Sequence, residues 1–340
     1  MAMEYSGILL VDKPVGETSF ASIAKLRKLL GIKRIGHCGT LDPFADGLLP
    51  ICVGRATATV QFMTEFSKTY EVTLKLGEST NTQDCEGEVL ERVDWREFCQ
   101  NLDLTSGLSF EQYIAQHVAS LTGELWQEPP MHSAVKVDGK PLYYYARQGQ
   151  EIERAKRKIM IYSAEITDIS LPLLTVRIHC SKGTYIRSWC DQLGRKLGCF
   201  AHAITLRRLA CGGLSLSDKR CVQLEELFAV FEQFDREREK MKNYLRTHLL
   251  KVREVFKEQN TLELSTRQAK SLCHGQPVRL RSDQITSDAN FNDELYLACL
   301  SDLDLAFGVL KETELGLQFK PQRVLLDQNL LESYLRDADN

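Results

Sequence analysis

Apolar and polar positions alternate along this chain in blocks that read, at the outset, as strand, turn and helix. Ile8 to Val11 form an apolar run short enough for a strand. Thr18 then precedes Ile23, Leu26 and Leu30, which share one face of a helix that Gly31 ends. Tyr70, Val72, Leu74 and Leu76 alternate with Glu71, Thr73 and Lys75, the period-two pattern of a strand with one wet face, and Tyr70 falls at its start. Val176, Ile178 and Cys180 predict another strand, after which Ile186, Trp189, Leu193 and Leu197 recur at helical spacing. Arg187 thereby sits in a first helical turn, off the apolar stripe.

Residues 94 to 118 are polar and weakly periodic, which predicts a loop or a small helical insertion. From Leu224 to about Gln259 the pattern is helical and heavily charged. Beyond a boundary near 255 to 262, Pro277 to Leu280, Leu295 to Leu300 and Leu305 to Leu310 are short strand-like runs between polar loops, the mark of a compact β unit. A chain of 340 residues exceeds the usual single-domain size, so one large and one small domain is the natural division.

Composition narrows the class. An apolar content of 43% with 26% charged residues describes a soluble globular protein. No apolar run approaches the ~18 residues that span a bilayer. Asp12 interrupts the one apolar run near the start, so no secretory signal is read and a cytoplasmic location is expected. The eleven cysteines are odd in number and lack any Cys-x-x-Cys pair, which reads as reduced thiols. The seven histidines do not join them at zinc spacing, so no metal site is expected.

The net charge of −3 hides an uneven distribution. Residues 121 to 220 hold 16 Lys plus Arg against 9 Asp plus Glu, whereas residues 281 to 340 hold 5 against 12. Lys33-Arg34, Arg154 with Lys156-Arg157-Lys158, Arg195-Lys196 and Arg207-Arg208 are candidate phosphate neutralisers or, equally, solvated faces.

The run from Gly36 to Pro50 is the strongest chemical signal. Pro43 biases Asp42 away from helical backbone, and Gly36, Gly39 and Gly47 permit conformations or close approaches denied to other residues. One carboxylate is thus fixed in a turn, beside His37, as an active-site loop would hold it.

This loop resembles the catalytic motif of the TruB family of tRNA pseudouridine synthases, and further motifs follow in the family's order. Gly7 to Ser19 is similar to its N-terminal motif and Ser67-Lys68-Thr69-Tyr70-Glu71-Val72 to its tyrosine-bearing strand. Asp138-Gly139-Lys140-Pro141-Leu142-Tyr143 with Ala146-Arg147, then Ser181 to Ser188 and Leu206-Arg207-Arg208, complete the series. The segment from Gly275-Gln276-Pro277-Val278 to Lys320-Pro321-Gln322-Arg323-Val324-Leu325 looks like the PUA-type RNA-binding module that ends many such proteins.

The resemblance implies an α+β fold: a mixed, largely antiparallel central sheet flanked by helices, with a small C-terminal β-rich PUA-like domain. It implies a catalytic domain over 1–255, the PUA-like domain over 260–327 and an acidic tail over 328–340. It implies a guide-independent, cofactor-free isomerase that converts the T-loop uridine at position 55 of tRNA to pseudouridine and acts as a monomer. Asp42 matches the catalytic carboxylate, Arg187 the arginine that pairs with it and Tyr70 the tyrosine that stacks on the target uracil. Tyr185 and Leu206 match further pocket residues. His37 matches a histidine inserted beside the extruded bases, Lys13 a scaffold contact and Asp84 a contact to a flipped neighbouring base.

Isomerising a uridine breaks the glycosidic bond, turns the uracil and rejoins the sugar through carbon 5. It needs a carboxylate near the sugar, a cation that keeps it ionised and aimed, an aromatic wall and exclusion of water. A guanidinium beside Asp42 is expected to lower its pKa. Two other readings stay open here. Asp42 and Asp46 could flank a bond as in glycoside hydrolases, or the chain could bind and refold tRNA without chemistry.

Overall fold

Ile8, Leu9, Leu10 and Val11 are all fully buried, which a strand achieves only when both faces of its sheet are covered. The computed structural model describes residues 5–98, 108–281, 284, 294–314 and 316–338. The segment 99–107 of the expected insertion and parts of the C-terminal unit lie outside the described residues.

The strands are β1 (Gly7–Lys13), β2 (Ile35–His37), β3 (Asp46–Val53), β4 (Lys68–Leu76), β5 (Glu78–Thr80), β6 (Val89–Arg92), β7 (Gly123–Gln127), β8 (Lys136–Val137), β9 (Lys140–Pro141) and β10 (Arg157–Ser170). They continue with β11 (Leu173–Cys180), β12 (Ala201–Cys211), β13 (Leu214–Ser215), β14 (Val222–Gln223), β15 (Asn260–Glu263), β16 (Val278–Arg279), β17 (Leu295–Leu300), β18 (Leu303–Thr313) and β19 (Gly316–Val324). The large sheet runs β14-β1-β3-β12-β4-β11-β10-β7, with β2 paired to β3 and β13 to β12. Within this sheet, among the described residues, only β1–β14 and β3–β12 pair in parallel. The chain therefore adopts the expected α+β class, with a mixed and largely antiparallel sheet. A second, five-stranded sheet runs β15-β17-β18-β19-β16.

Three amphipathic helices cover one face of the large sheet. Ser19–Leu30 begins where the Thr18 hydroxyl accepts from the Ala21 N–H at 3.1 Å and ends at Gly31 in the left-handed region. It buries Ile23, Leu26 and Leu30, as the spacing predicts. Phe110–Ser120, inside the expected insertion, buries Phe110, Ile114 and Val118 in the same core. Ile186–Leu197 adds Trp189, Leu193 and Leu197 to the core that also holds Val72, Leu74, Val176 and Ile178 of β4 and β11.

The opposite face of β1 and β3 meets the C-terminal sheet. Ile8, Leu10, Leu48 and Cys52 share one apolar cluster with Leu297, Cys299 and Phe307 of β17 and β18. The Phe307 ring lies 4.8 Å from that of Phe62 and 4.7 Å from that of Phe256. Arg55 pairs with Asp327 at 2.6 Å across the same seam. The acidic stretch after 327 forms the helix Gln328–Ala338, with Leu331 buried in the core of the C-terminal unit. The cysteines among the described residues are all free.

Because Phe307 belongs to a core built by both units, Phe307→Ala is expected to cost about 3–5 kcal/mol. The loss should appear in one cooperative denaturation step. Two resolved steps in the parent protein, with only the later one or only the earlier one affected by the substitution, would contradict a shared core.

Candidate active site

The loop that carries Asp42 is shorter than the Gly36–Pro50 run. Gly36 and His37 belong to β2 and Asp46 to Pro50 belong to β3, so Cys38–Ala45 alone lies between strands. The first turn of the helix Ser19–Leu30 clamps it. The Ser19 hydroxyl donates to the Leu41 carbonyl at 3.2 Å and accepts from the Leu41 N–H at 2.8 Å. The Gly16 N–H donates to the Pro43 carbonyl at 2.7 Å. Glycine is required at 47, where φ is +98° and a Cβ would stand 2.5 Å from the Arg208 carbonyl oxygen.

Arg187 meets Asp42 from the other side. Tyr185 caps the helix Ile186–Leu197, and Gln127 of β7 brackets it, its side chain donating to the Tyr185 carbonyl at 2.9 Å and accepting the Tyr185 N–H at 2.8 Å. Arg187 follows in the first turn. Its Nε donates to Asp42 Oδ2 at 2.8 Å, while Nη1 donates to the Thr82 carbonyl at 2.8 Å and Nη2 to the His132 carbonyl at 2.9 Å. Nη1 also lies 3.2 Å from Asp84 Oδ2. The Arg187 side chain is 3% exposed and that of Asp84 6%, whereas Asp42 keeps 34% at the floor of an open cleft.

The arrangement is thus one cation between two carboxylates. Burial is the main cause that raises the Asp42 carboxyl above its ordinary value; the Arg187 guanidinium opposes it and the Asp84 charge reinforces it. Arg187 pulls this pKa downward, as expected of a guanidinium, but burial outweighs it and the net shift is upward.

Asp42, Tyr70, Tyr185, Arg187 and Leu206 all line a single cleft of about 280 Å³. Tyr70 is the third residue of β4, and burial pushes its phenol up to about 12. Lys13, His37 and Asp84 do not line it. Lys13 is buried and donates from Nζ to the carbonyls of Pro14 and Glu17, both at 2.7 Å, the scaffold geometry expected of it. His37 ends β2 with its Nδ1 buried and, among the described residues, unpaired; burial first, and the Arg208 charge next, lower the ring pKa and favour the neutral imidazole. Asp84, expected at a neighbouring base, is turned onto Arg187 and accepts from the Thr82 hydroxyl at 2.6 Å and the Glu86 N–H at 3.1 Å.

The sequence reading missed Lys68 and Arg208 as site residues, although both stand in the quoted motifs; both line the cleft. A basic doublet looks like surface, and nothing in Arg207-Arg208 separates the two fates. Arg208 is core, 1% exposed. Arg207 bridges Asp12, at 2.7 Å, and Asp46. Asp46 is therefore engaged elsewhere and does not face Asp42 across the cleft. Arg154 and Arg195 are likewise paired, with Glu128 at 2.6 Å and Asp191 at 2.8 Å.

A half-buried carboxylate held by a buried guanidinium at the floor of an aromatic cleft, opened beside the middle strands of a mixed sheet, defines an enzyme site on a pseudouridine synthase fold. Residues 27–186 match the model of the TruB family pseudouridylate synthase N-terminal domain, and residues 187–257 that of the tRNA pseudouridylate synthase B C-terminal domain. The chain belongs to the TruB family and is an isomerase of the pseudouridine synthase type. It is 44% identical over 221 residues to tRNA pseudouridine synthase B of Geobacter sulfurreducens, covering 65% of this chain and 68% of that one. It is 36% identical over 288 residues to the protein of the same name from Syntrophotalea carbinolica, covering 85% and 86%. Among solved structures, the fold is similar to a chain of a Cbf5-Nop10-Gar1 complex, with a TM-score of 0.69 and 24% identity over 96% of this chain and 86% of that chain.

Asp84→Asn removes the second anion from Arg187, so the Asp42 pKa should fall. If ionisation of Asp42 sets the acid limb of the single-turnover rate, that limb is expected to move to lower pH. A limb that stays in place or moves upward would show that Asp84 does not act on Asp42 through this cation.

Proposed function

We propose that the protein isomerises the T-loop uridine at position 55 of tRNA to pseudouridine, without a guide RNA, with Asp42 as the catalytic carboxylate. The observation that carries this reading is the 2.8 Å contact between Arg187 and Asp42 at the floor of a cleft walled by Tyr70, Tyr185 and Leu206. The relatives named tRNA pseudouridine synthase B supply the substrate class.

Each route through Asp42, whether attack on the sugar, attack on the base or removal of the 2′ proton, needs an ionised carboxylate aimed at the nucleotide. Arg187 both aims it and opposes its protonation. Tyr70 stacks on the extruded uracil, and its hydroxyl, which burial keeps protonated, helps move the carbon 5 proton only as a relay that passes on its own. Tyr185 and Leu206 keep water from the detached base. His37, as a neutral ring, stacks beside the extruded bases, and Lys13 holds the turn that carries Glu17. Asp84 acts on the RNA through Arg187, or reaches a flipped base once the loop shifts.

The reaction is redox-neutral and requires no cofactor or metal. Residues 1–255 serve as the catalytic domain and 260–327 as a PUA-like RNA-binding domain. The chain works as a monomer in the cytoplasm; no described helix is long and apolar enough to cross a membrane.

T-arm RNA tritiated at uracil carbon 5 tests the reading with the parent protein and Asp42→Asn. Tritium should pass to water with no free uracil, and the variant should release neither. Free uracil would identify a hydrolase. Tight RNA binding with no tritium release from the parent would identify a chaperone.

A further inference from the structure

Two cations are buried at the inner wall of the cleft without any ion pair among the described residues. Arg208 is 1% exposed and Lys68 7%. Arg208 donates from Nε to the Leu48 carbonyl at 2.7 Å and from Nη2 to the Gly39 carbonyl at 3.1 Å. Lys68 donates to the carbonyls of Thr64, at 2.7 Å, and Phe66. Both reach under the catalytic loop: a Cβ built on Gly39 would lie 3.5 Å from Arg208 Nη1 and 3.9 Å from Lys68 Cε. Arg208 is also the cross-strand partner of Tyr70, and Lys68 that of Cys211.

Burying a cation against carbonyl dipoles alone is costly, and arginine and lysine rarely reach such depth unpaired. No nearby anion offsets the charge. The thiols of Cys180 and Cys211 are pushed up by burial and stay neutral. Glu65, the carboxylate that acts on Lys68, is exposed and paired with Lys182. Asp42 is bound to Arg187 on the other wall. Both side chains line the same cleft as Asp42 and Tyr70, so the unmet charge faces whatever occupies that cleft.

The geometry points to Lys68 and Arg208 as the electrostatic support for the uracil anion released when the glycosidic bond breaks. This rests on the isomerase reading and on departure of the base with the bond's electron pair. The C1′–N1 bond breaks, and the pair stays on uracil, spread over N1, O2 and O4. C1′ is left electron-poor, as an oxocarbenium or as an ester of Asp42; the base turns against the positive wall, C5 donates a pair to C1′ and releases Asp42 where an ester had formed, the C5 proton departs and N1 takes up a proton, so that uridine and pseudouridine carry the same atoms and charge. The cations are fixed before the charge forms, which is where such groups act most strongly. Arg208 also props Gly39 and Lys68 the Thr64 and Phe66 carbonyls, so the loss of either alone would not separate charge from structure; a comparison of two substrates does.

Single-turnover cleavage is measured with T-arm RNA carrying either uridine or 5-fluorouridine at the target, using the parent, Lys68→Met, Lys68→Arg, Arg208→Met and Arg208→Lys. Fluorine stabilises the departing anion and relieves dependence on the wall. Lys68→Met should slow uridine cleavage by about 10², slow 5-fluorouridine cleavage markedly less, and leave the RNA Kd and its salt dependence within twofold. Lys68→Arg should recover most of the rate, and Arg208→Lys should exceed Arg208→Met. Equal loss on both substrates, loss confined to RNA binding, or no loss would each overturn the assignment. A parent protein that makes no pseudouridine would instead overturn the function itself.

Discussion

One guanidinium holds the site together. Arg187 binds an aspartate 145 residues away, a carbonyl 105 residues away and another 55 residues away. These partners lie on the catalytic loop, after β5 and after β7, segments that no shared strand joins. A planar fork of donors can meet three directions at once; a lysine ammonium at the same depth would lose the geometry. Breaking one side of a buried pair typically costs about 3–5 kcal/mol, mostly for the charge left behind. Here two carboxylates would be left. The positions of Asp42, Asp84 and the His132 segment are therefore fixed by the same side chain that sets the charge balance of the cleft.

That balance also explains why Asp42 titrates upward although it is paired. A single cation serving two anions leaves the trio negative, and burial adds to the penalty for ionising. The inner wall has the opposite sign, with Lys68 and Arg208 solvated by carbonyls. On the proposed function, a uracil in the cleft would lie between the Asp42 carboxylate and a wall suited to negative charge on the base. The separation is maintained by strand pairing: Tyr70 and Arg208 face each other across β4 and β12, while Asp42 comes from the loop between β2 and β3.

Elements with one wet face or a clean helical stripe were legible in the sequence. The helix Ser19–Leu30, with Thr18 and Gly31 at its ends, and the strands β4 and β11 follow the apolar spacing. The convergence of Asp42, Tyr70 and Arg187 on one cleft was implied by the family motifs and is borne by the coordinates, not by any local pattern. The long strand β10 was invisible because its exposed face carries Lys158, Tyr162 and Glu165 around few buried positions. In β12 the polar pair Arg207-Arg208 masks a central strand, since Arg208 faces inward to carbonyls and Arg207 spans two aspartates. The helix Gln328–Ala338 looked like an acidic tail, since it is anchored by few apolar side chains, Leu331 among them. Gln127 gave no signal at all; its bidentate hold on Tyr185 exists only in three dimensions.

The acidic C-terminal unit is intelligible once its contacts are traced inward. Leu297, Cys299 and Phe307 cover the outer face of β1 and β3, the face that also carries Leu48 and Cys52. Cys38, the first residue of the catalytic loop, lies in that same cluster, its sulfur 3.4 Å from that of Cys52. Part of the acidic charge is spent on the catalytic unit and its connector: Asp327 pairs with Arg55 at 2.6 Å and Asp304 with Arg253 at 2.8 Å. The strand that leads out of the loop is thus buried on both sides, by the helices on one and by the C-terminal sheet on the other. Rigid backing of this kind keeps a short loop from relaxing away from Arg187, so the unit contributes to the position of Asp42 from the far side of the sheet.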